Sequence, residues 1–232
     1  MSQPQGANAL KPVYESIVAA CEQDLDRHGD NYLGVGWTKS QAHADRRYRI
    51  MLELVRRPFD GRATLLDVGC GASHLLAYMQ ANGVNDIEYS GLDLSAKFLA
   101  LSKGKFPTVS YYHADLLDSR TQLPMFDYAV LNGLFNYKGA SSHDDMWTYM
   151  RAFLRRVAPL VRLGFAFNVM TKYLDWERDD LFHLPLDTIA AFLNDEVGRS
   201  FIIRHDYGLF EYTVYAYKDG LFPEPQTPTG QI

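Results

Sequence analysis

Residues 63–71 read ATLLDVGCG, an apolar run that ends in an acidic residue and is followed by two glycines one residue apart. The run has the composition of a buried strand, and the glycines predict a tight turn. From residue 72 onward apolar side chains recur at helical spacing, so the unit is predicted to be a strand, a glycine turn and a helix. Such units bind nucleotide-like ligands, because a turn without Cβ atoms lets the backbone approach the ligand.

A second predicted strand sharpens this interpretation. Residues 87–95 read IEYSGLDLS, and Asp93 stands where α/β folds place the carboxylate that accepts hydrogen bonds from ribose hydroxyls. A dinucleotide fingerprint would require a third glycine at the position of His74, where an imidazole crowds both the helix and the pyrophosphate. Plain NAD binding is therefore disfavoured.

Four motifs in register resemble those of the class I S-adenosylmethionine-dependent methyltransferases. Residues 67–71, DVGCG, resemble the family's motif I, and residues 91–93, GLD, resemble its ribose-binding acidic motif. Residues 113–116, HADL, are similar to the loop that contacts adenine, and residues 126–132, FDYAVLN, are similar to the fourth strand. The resemblance covers roughly residues 60–218. It implies S-adenosylmethionine as the cofactor.

The cofactor contacts that this resemblance implies lie at or just after the ends of predicted strands. The residues are Asp67, Gly69, Cys70, Gly71, Asp93, Leu94, Asp115, Leu116 and Asn132. The acidic and amide residues among them could also be ordinary turn or cap residues, and Asp67 fits the role of orienting the glycine turn equally well. The family usually has a further glycine where this chain has Ser73. Arg46 and Arg47, on a predicted helix, are candidates for binding the cofactor carboxylate.

Three residues are candidates for the chemistry of the acceptor. Methyl transfer from a sulfonium depends chiefly on positioning, and a base is needed only where the acceptor loses a proton. His143 follows the loop after the fourth strand, although it also fits a helix N-terminus. His183 lies in an irregular stretch after the fifth strand, and Tyr137 is a polar aromatic residue near the expected site.

The predicted fold is α/β, with a Rossmann-like, mostly parallel sheet of seven strands and an N-terminal helical lid. Residues 200–206 and 211–218 form two strands whose connection is too short for a crossover helix, so they must be an antiparallel hairpin. The predicted organisation is a disordered N-terminus, a lid, a methyltransferase core and a flexible tail. Their bounds are residues 1–11, 12–57, 58–218 and 219–232.

Composition limits the class of protein. The chain has 232 residues, of which 47% are hydrophobic and 22% charged, as expected for a single globular domain. A net charge of −5 gives no electrostatic footprint for nucleic acid. Cys21 and Cys70 suggest no disulfide framework, and neither a secretory leader nor a membrane span is visible. We expect a cytoplasmic protein that does not bind membranes and is a monomer or a homodimer.

The substrate class follows from motifs that are missing. Residues 132–135 read NGLF instead of the Asn/Asp-Pro-Pro-aromatic motif with which similar enzymes methylate base amines or glutamine amides. Cys and His residues do not have zinc-site spacing, and we predict metal independence. The sequence thus predicts O- or N-methylation of a small molecule, in secondary metabolite or surface sugar biosynthesis. The alternatives are a non-catalytic methyltransferase-like binding or partner subunit and an NAD(P)-dependent reductase.

Overall fold

The computed structural model of the chain describes residues 5–37, 40–56 and 61–218. Within these residues, helices and strands alternate along most of the chain. The α-helices are α1 (Gln5–His28), α2 (Gln41–Leu52), α3 (His74–Ala81), α4 (Ala96–Lys105), α5 (His143–Val157) and α6 (Leu186–Glu196). The strands are β1 (Ala63–Val68), β2 (Ile87–Asp93), β3 (Ser110–His113), β4 (Phe126–Leu131), β5 (Val161–Met170), β6 (Phe201–Arg204) and β7 (Glu211–Tyr217). Short 3-10 helices span Leu33–Val35 and Ala158–Leu160.

The strands form one seven-stranded sheet in the order β3-β2-β1-β4-β5-β7-β6. Strands β1 to β5 are parallel, whereas β7 pairs antiparallel with both β5 and β6. The strand order reverses between β1 and β4, which is where open α/β sheets bind ligands. The predicted fold class, including the terminal hairpin, is confirmed. In that hairpin β7 lies inside β6, so Glu211 pairs with Met170 at the carboxyl end of β5.

Two apolar layers cover the two faces of the sheet. Neighbouring residues of β1 illustrate them: Leu66 packs in the layer of α1, α5 and α6, whereas Leu65 packs in the layer of α2 and α3. Successive side chains of a strand point to opposite faces, so a near-continuous apolar strand is required when both faces are covered. The apolar run at residues 63–68 is therefore explained by burial on both sides.

Helix α1 begins at Gln5, whereas the helical spacing of apolar residues in the sequence begins near Val13. Residues 5–11, expected to be disordered because residues 1–11 are largely polar and contain Pro4 and Gly6, are therefore helical. The helix also continues through Pro12, although proline disfavours a helix interior. Burial of Leu10 in the main apolar layer accounts for the extension. The predicted disorder of residues 1–4 lies outside the described residues.

The predicted lid consists in part of core structure. Ile50 and Met51 of α2 are fully buried, and the hydroxyl of Tyr215 on β7 donates to the carbonyl of Ile50 at 2.7 Å. Helix α2 is thus a layer of the domain as well as a neighbour of the ligand-binding edge. The assignment of residues 12–57 as a lid stays a prediction. The predicted tail, residues 219–232, lies outside the described residues.

Candidate active site

A cavity of about 720 Å³ lies at the carboxyl ends of the parallel strands. This volume is within the ~300–1,000 Å³ typical of small-ligand sites. The predicted site residues that line it are Asp67, Gly69, Cys70, Gly71, Asp93, Leu94, Leu116, Asn132, Tyr137 and His183. Asp115 and His143 are not among the lining residues. Most of the predicted residues therefore lie together, as expected for residues at the carboxyl ends of parallel strands.

The glycine turn after β1 has the geometry that its sequence indicates. Gly69 and Gly71 have φ angles of +73° and +51°, a region that residues with a Cβ adopt only at a cost. The backbone N–H groups of Gly69 and Cys70 both donate to the carbonyl of Leu92, at 2.8 and 3.0 Å, which fixes the turn against β2. The turn thus presents backbone without side chains to the cavity.

The surroundings of Ser73 explain how serine is accommodated where the family usually has glycine. It has a φ of +54° and is the only residue other than glycine with a positive φ among those described. Its buried hydroxyl lies 2.9 Å from the hydroxyls of both Ser102 and Tyr111. These hydrogen bonds compensate for a left-handed conformation in which glycine carries no penalty. Ser73 does not line the cavity.

Two backbone N–H groups hold the carboxylate of Asp93 at the cavity wall. One carboxylate oxygen accepts from the N–H of Gly71 at 2.8 Å, and the other accepts from the N–H of Ser95 at 2.8 Å. Burial raises the pKa of Asp93, and these backbone hydrogen bonds oppose the rise. Because each carboxylate oxygen has a second lone pair, Asp93 can still accept hydrogen bonds from a diol.

Asp67 has a partner inside the protein. The Tyr89 hydroxyl donates to its carboxylate at 2.8 Å. Burial raises the pKa of Asp67 to about 7, and the negative charge of Asp93 adds to the effect, whereas the Tyr89 hydrogen bond opposes it. Burial likewise raises the pKa of the Cys70 thiol well above its usual range, so Cys70 is protonated at neutral pH.

Asp115 does not line the cavity, and its carboxylate is held by α1 and by its own loop. Its carboxylate accepts from the Tyr14 hydroxyl at 2.7 Å and from the N–H of Leu117 at 2.8 Å. Its neighbours Ala114 and Leu116 provide the cavity wall instead. Asp115 therefore ties α1 to the loop after β3 in this structure.

A buried ion pair forms the opposite end of the cavity. Glu211, which is 1% exposed, accepts from Arg47 through both oxygens, with Nε–Oε1 and Nη2–Oε2 distances of 2.8 and 2.9 Å. Asn168 Nδ2 donates to Oε1 at 2.9 Å and Asn136 Nδ2 donates to Oε2 at 3.3 Å. Arg47 thus binds Glu211 in the cavity wall, and the expectation that it reaches the cofactor carboxylate stays a prediction.

Trp37 lines the cavity beside the Arg47–Glu211 ion pair. The Arg47 guanidinium lies 4.3 Å from the centroid of its ring, a cation–π arrangement. A Cβ at Gly133 would lie 2.5 Å from the indole, so glycine is required where the loop after β4 meets Trp37. Arg46, the other arginine considered for the cofactor, donates to the carbonyl of Tyr207 at 2.8 Å.

The two candidate histidines have different surroundings. His183 is 3% exposed and lines the cavity, and its Nδ1 lies 2.7 Å from the carbonyl oxygen of Thr171. His143 is exposed at the first turn of α5, and its Nε2 lies 3.0 Å from the carbonyl of His183. The structure thus places His183 at the site and His143 behind it. Tyr137 lies at the cavity mouth and is 37% exposed.

Several cavity residues were not predicted from the sequence. They include Asn136 and Glu211. The signal for Glu211 was a single carboxylate at the start of a strand that is otherwise apolar or aromatic, because a buried charge requires a partner. Asn136 lies in a loop and carried no comparable signal. Trp37, in an aromatic, glycine-rich loop, could be expected either to line an acceptor pocket or to be buried in the lid, and it lines the cavity.

Comparison with known proteins assigns the family. The sequence profile described as a methyltransferase domain matches residues 66–164. A protein of Mycobacterium tuberculosis (strain ATCC 25618 / H37Rv) that is named as a methyltransferase is 30% identical over 154 residues, which are 66% of this chain and 91% of that protein. The chain belongs to the methyltransferase family. This methyltransferase depends on S-adenosylmethionine, and the reductase alternative is set aside.

Solved structures share the fold of this methyltransferase. Magnesium protoporphyrin IX methyltransferase (ChlM) from Synechocystis PCC 6803, with bound S-adenosylmethionine, matches with a TM-score of 0.60 and 14% identity over 88% of this chain and 97% of that chain. The CurJ carbon methyltransferase matches with a TM-score of 0.54 and 14% identity over 93% and 71% of the two chains. Both likenesses concern the fold, and their named acceptors are properties of those proteins.

The residues at the glycine turn fit S-adenosylmethionine. Asp93 offers carboxylate lone pairs for the two ribose hydroxyls, and Gly69 and Gly71 leave backbone accessible beside it. Leu94 and Leu116 add apolar wall of the kind that an adenine ring requires. This set of groups therefore suits a nucleoside with a free diol.

The described residues contain neither a metal-binding cluster nor a membrane-spanning helix. Among the described residues, no group of three or more His, Cys, Asp or Glu side chains is arranged to hold a metal ion. Metal independence stays a prediction. None of the described helices has the length and apolar character needed to cross a membrane.

Proposed function

We propose that this methyltransferase methylates a small molecule at oxygen or nitrogen. The supporting observation is that the cavity continues from the glycine turn to a buried polar corner that contains Asn136 and His183. Because the acceptor atom must meet the methyl group in line, the acceptor has to enter this cavity. A small molecule can do so.

The chain's own residues divide the work of the reaction. S-adenosylmethionine supplies an electrophilic methyl group when bound. Asp93 and the backbone of Gly69 and Gly71 hold the nucleoside part in place, so that the reaction depends mainly on positioning. The polar corner holds the acceptor and receives its proton. The wider setting, secondary metabolite or surface sugar biosynthesis by a cytoplasmic monomer or homodimer, is part of this proposal.

A fractionated extract tests the proposal. The purified protein is incubated with S-adenosylmethionine labelled in the methyl group and with cell extract that has been separated by ultrafiltration. We expect label to enter the low-molecular-weight fraction, and Asp93→Ala to abolish that transfer. Label that enters only protein or nucleic acid would contradict the proposal. Binding of S-adenosylhomocysteine without transfer to any fraction would favour the non-catalytic alternative.

A further inference from the structure

Two buried acceptor atoms in the cavity wall lack hydrogen-bond partners. They are His183 Nε2 and Asn136 Oδ1, and each is fully shielded within the described part of the protein. Both side chains belong to the wall of the cavity, and the two residues are 3% and 8% exposed. A buried polar group without a partner costs ~1–3 kcal/mol. Such atoms at a ligand cavity therefore indicate where a ligand donates.

The chemistry of the neighbours fixes which atom of each side chain accepts. A carbonyl oxygen only accepts, so Nδ1 of His183 carries the hydrogen that points to Thr171, and Nε2 of the neutral ring keeps its lone pair. The Glu211 carboxylate also only accepts, so the Asn136 amide nitrogen faces it and Oδ1 faces away. Both atoms therefore require a hydrogen donor.

The two side chains belong to one corner of the cavity. The N–H of Phe182 donates to the carbonyl of Asn136 at 2.8 Å, and Tyr137 forms a β-bridge with Leu181. Glu211 cannot serve as the base at this corner, because Arg47, Asn168 and Asn136 already donate to both of its oxygens. His183 is the group there with an available lone pair.

The cavity also indicates the character of the acceptor. Each arginine that lines it lies beside a carboxylate: Arg27 with Asp24, Arg47 with Glu211, and Arg178 with Asp180. The cavity lining also holds more carboxyl groups than arginines, so its charge does not favour an anionic acceptor. Exposed aromatic side chains surround the mouth, namely Tyr137, Trp176 and Phe210. Such side chains suit an uncharged molecule with a flat, apolar body.

From these observations we propose that His183 and Asn136 form the acceptor subsite of the methyltransferase, and that the acceptor is an uncharged hydroxylated aromatic compound with two neighbouring donors. This inference rests on the proposed function. One hydroxyl donates to His183 Nε2, and the second donates to Asn136 Oδ1. As the acceptor oxygen bonds to the methyl carbon, the electron pair of the broken carbon–sulfur bond stays on sulfur. The hydroxyl proton passes to His183 Nε2 and is later released to water.

Binding of catechol and of its dimethyl ether, 1,2-dimethoxybenzene, tests the subsite at equilibrium. The protein is saturated with S-adenosylhomocysteine, and each compound is titrated while the imidazole signals of His183 are followed by NMR. We expect catechol to bind and to shift these signals, and the ether, which has no donor, to bind at least about tenfold more weakly. Asn136→Ala is expected to weaken catechol binding about tenfold for the same reason.

Transfer rates test the proton acceptor. His183→Gln keeps a polar side chain that cannot take the proton, and it is expected to slow methylation of catechol about 100-fold or more. The more acidic 4-nitrocatechol ionises readily without a base, so we expect the same variant to slow its methylation much less. His205→Gln is the matched control, because His205 is exposed and does not line the cavity, and it should slow neither reaction.

The outcomes separate the subsite from the proposed function. All of these variants should bind S-adenosylhomocysteine as the parent protein does. Equal binding of catechol and its ether, no binding of either, or equal slowing of both acceptors by His183→Gln would overturn the subsite. Transfer of label from the extract to macromolecules alone would overturn the proposed function itself, whatever the probes do.

Discussion

The two ends of the cavity are built in opposite ways. At the cofactor end, Asp93 is held by backbone N–H groups from residues directly before α3 and α4, and Asp67 is paired with Tyr89 on the neighbouring strand. At the acceptor end, the Glu211 carboxylate joins side chains from α2, β5 and the loop after β4. The first end depends on strand termini, and the second on side chains far apart in the sequence.

The backbone-held end is suited to one constant ligand, whereas the side-chain end is suited to selecting among ligands. The backbone-held end presents a constant set of groups to a constant ligand, as a nucleoside site requires. The side-chain end leaves His183 Nε2 and Asn136 Oδ1 without partners, so it can discriminate between acceptors by the donors they carry.

The largest effect is expected at the buried ion pair. Arg47→Ala leaves the Glu211 carboxylate buried without its cation, and we expect a loss of about 3–5 kcal/mol in the free energy of unfolding. Arg49→Ala is the matched control, because Arg49 lies on the same helix and forms an exposed pair with Glu53. That variant should lose less than about 1 kcal/mol. Chemical denaturation measures both, and equal losses would show that the pair does not stabilise this end.

At the proposed cofactor end, Asp93→Ala removes the carboxylate that accepts from the Gly71 N–H and that we propose binds the ribose. We expect binding of S-adenosylhomocysteine to weaken about 100-fold or more, since hydrogen bonds to a charged group contribute ~1.5–3 kcal/mol each. Asp115→Ala is the informative comparison, because Asp115 pairs with Tyr14 and does not line the cavity. Calorimetric titration should give a change of less than about tenfold for it. A larger change would restore Asp115 to the adenine site.

The raised pKa of Asp67 gives a pH dependence of stability. Its pKa is about 7 in the folded protein and ~3.9 when unfolded, so between these values the folded state binds more protons. The free energy of unfolding contributed by Asp67 therefore falls as the pH rises from about 4 to 7, by up to about 1.4 kcal/mol per pH unit. Asp67→Asn, which stays neutral, should lack this fall and be the more stable protein above pH 7. Parallel slopes in denaturation of the two proteins would contradict the assignment.

The smallest effect is expected at Ser73. Ser73→Gly relieves the left-handed backbone but loses the hydrogen bonds to Ser102 and Tyr111, so its net change in unfolding free energy should be within about 1 kcal/mol. Ser73→Ala loses the hydrogen bonds and keeps the strain, so it should be less stable than Ser73→Gly by ~1–2 kcal/mol. Thermal denaturation of the two variants measures this difference directly. If alanine were as stable as glycine here, the left-handed backbone at residue 73 would carry no strain.

Local pattern predicted most of the fold. The sequence predicts a helix from His143 to Val157 and a strand from about Phe126 to Leu131, and α5 and β4 have these bounds. Ser142 and Asp145 form a capping box at the start of α5, and its apolar face is continuous. The start of α1 was missed because residues 1–11 are largely polar and contain Pro4 and Gly6, whereas burial of Leu10 decided the outcome. Periodicity captures local preference, and tertiary packing can override it.

The site divides along the same line. The sequence by itself determined that the carboxyl ends of β1 and β2 meet at one edge of a parallel sheet, and motif order then predicts Gly69, Gly71 and Asp93 as cofactor contacts. Only the tertiary structure decided that His183 lies at the cavity and His143 behind it. It also decided that Arg47 binds Glu211. The reason is physical: backbone-held positions follow from strand direction, whereas partners of long side chains depend on how loops and helices distant in sequence pack together.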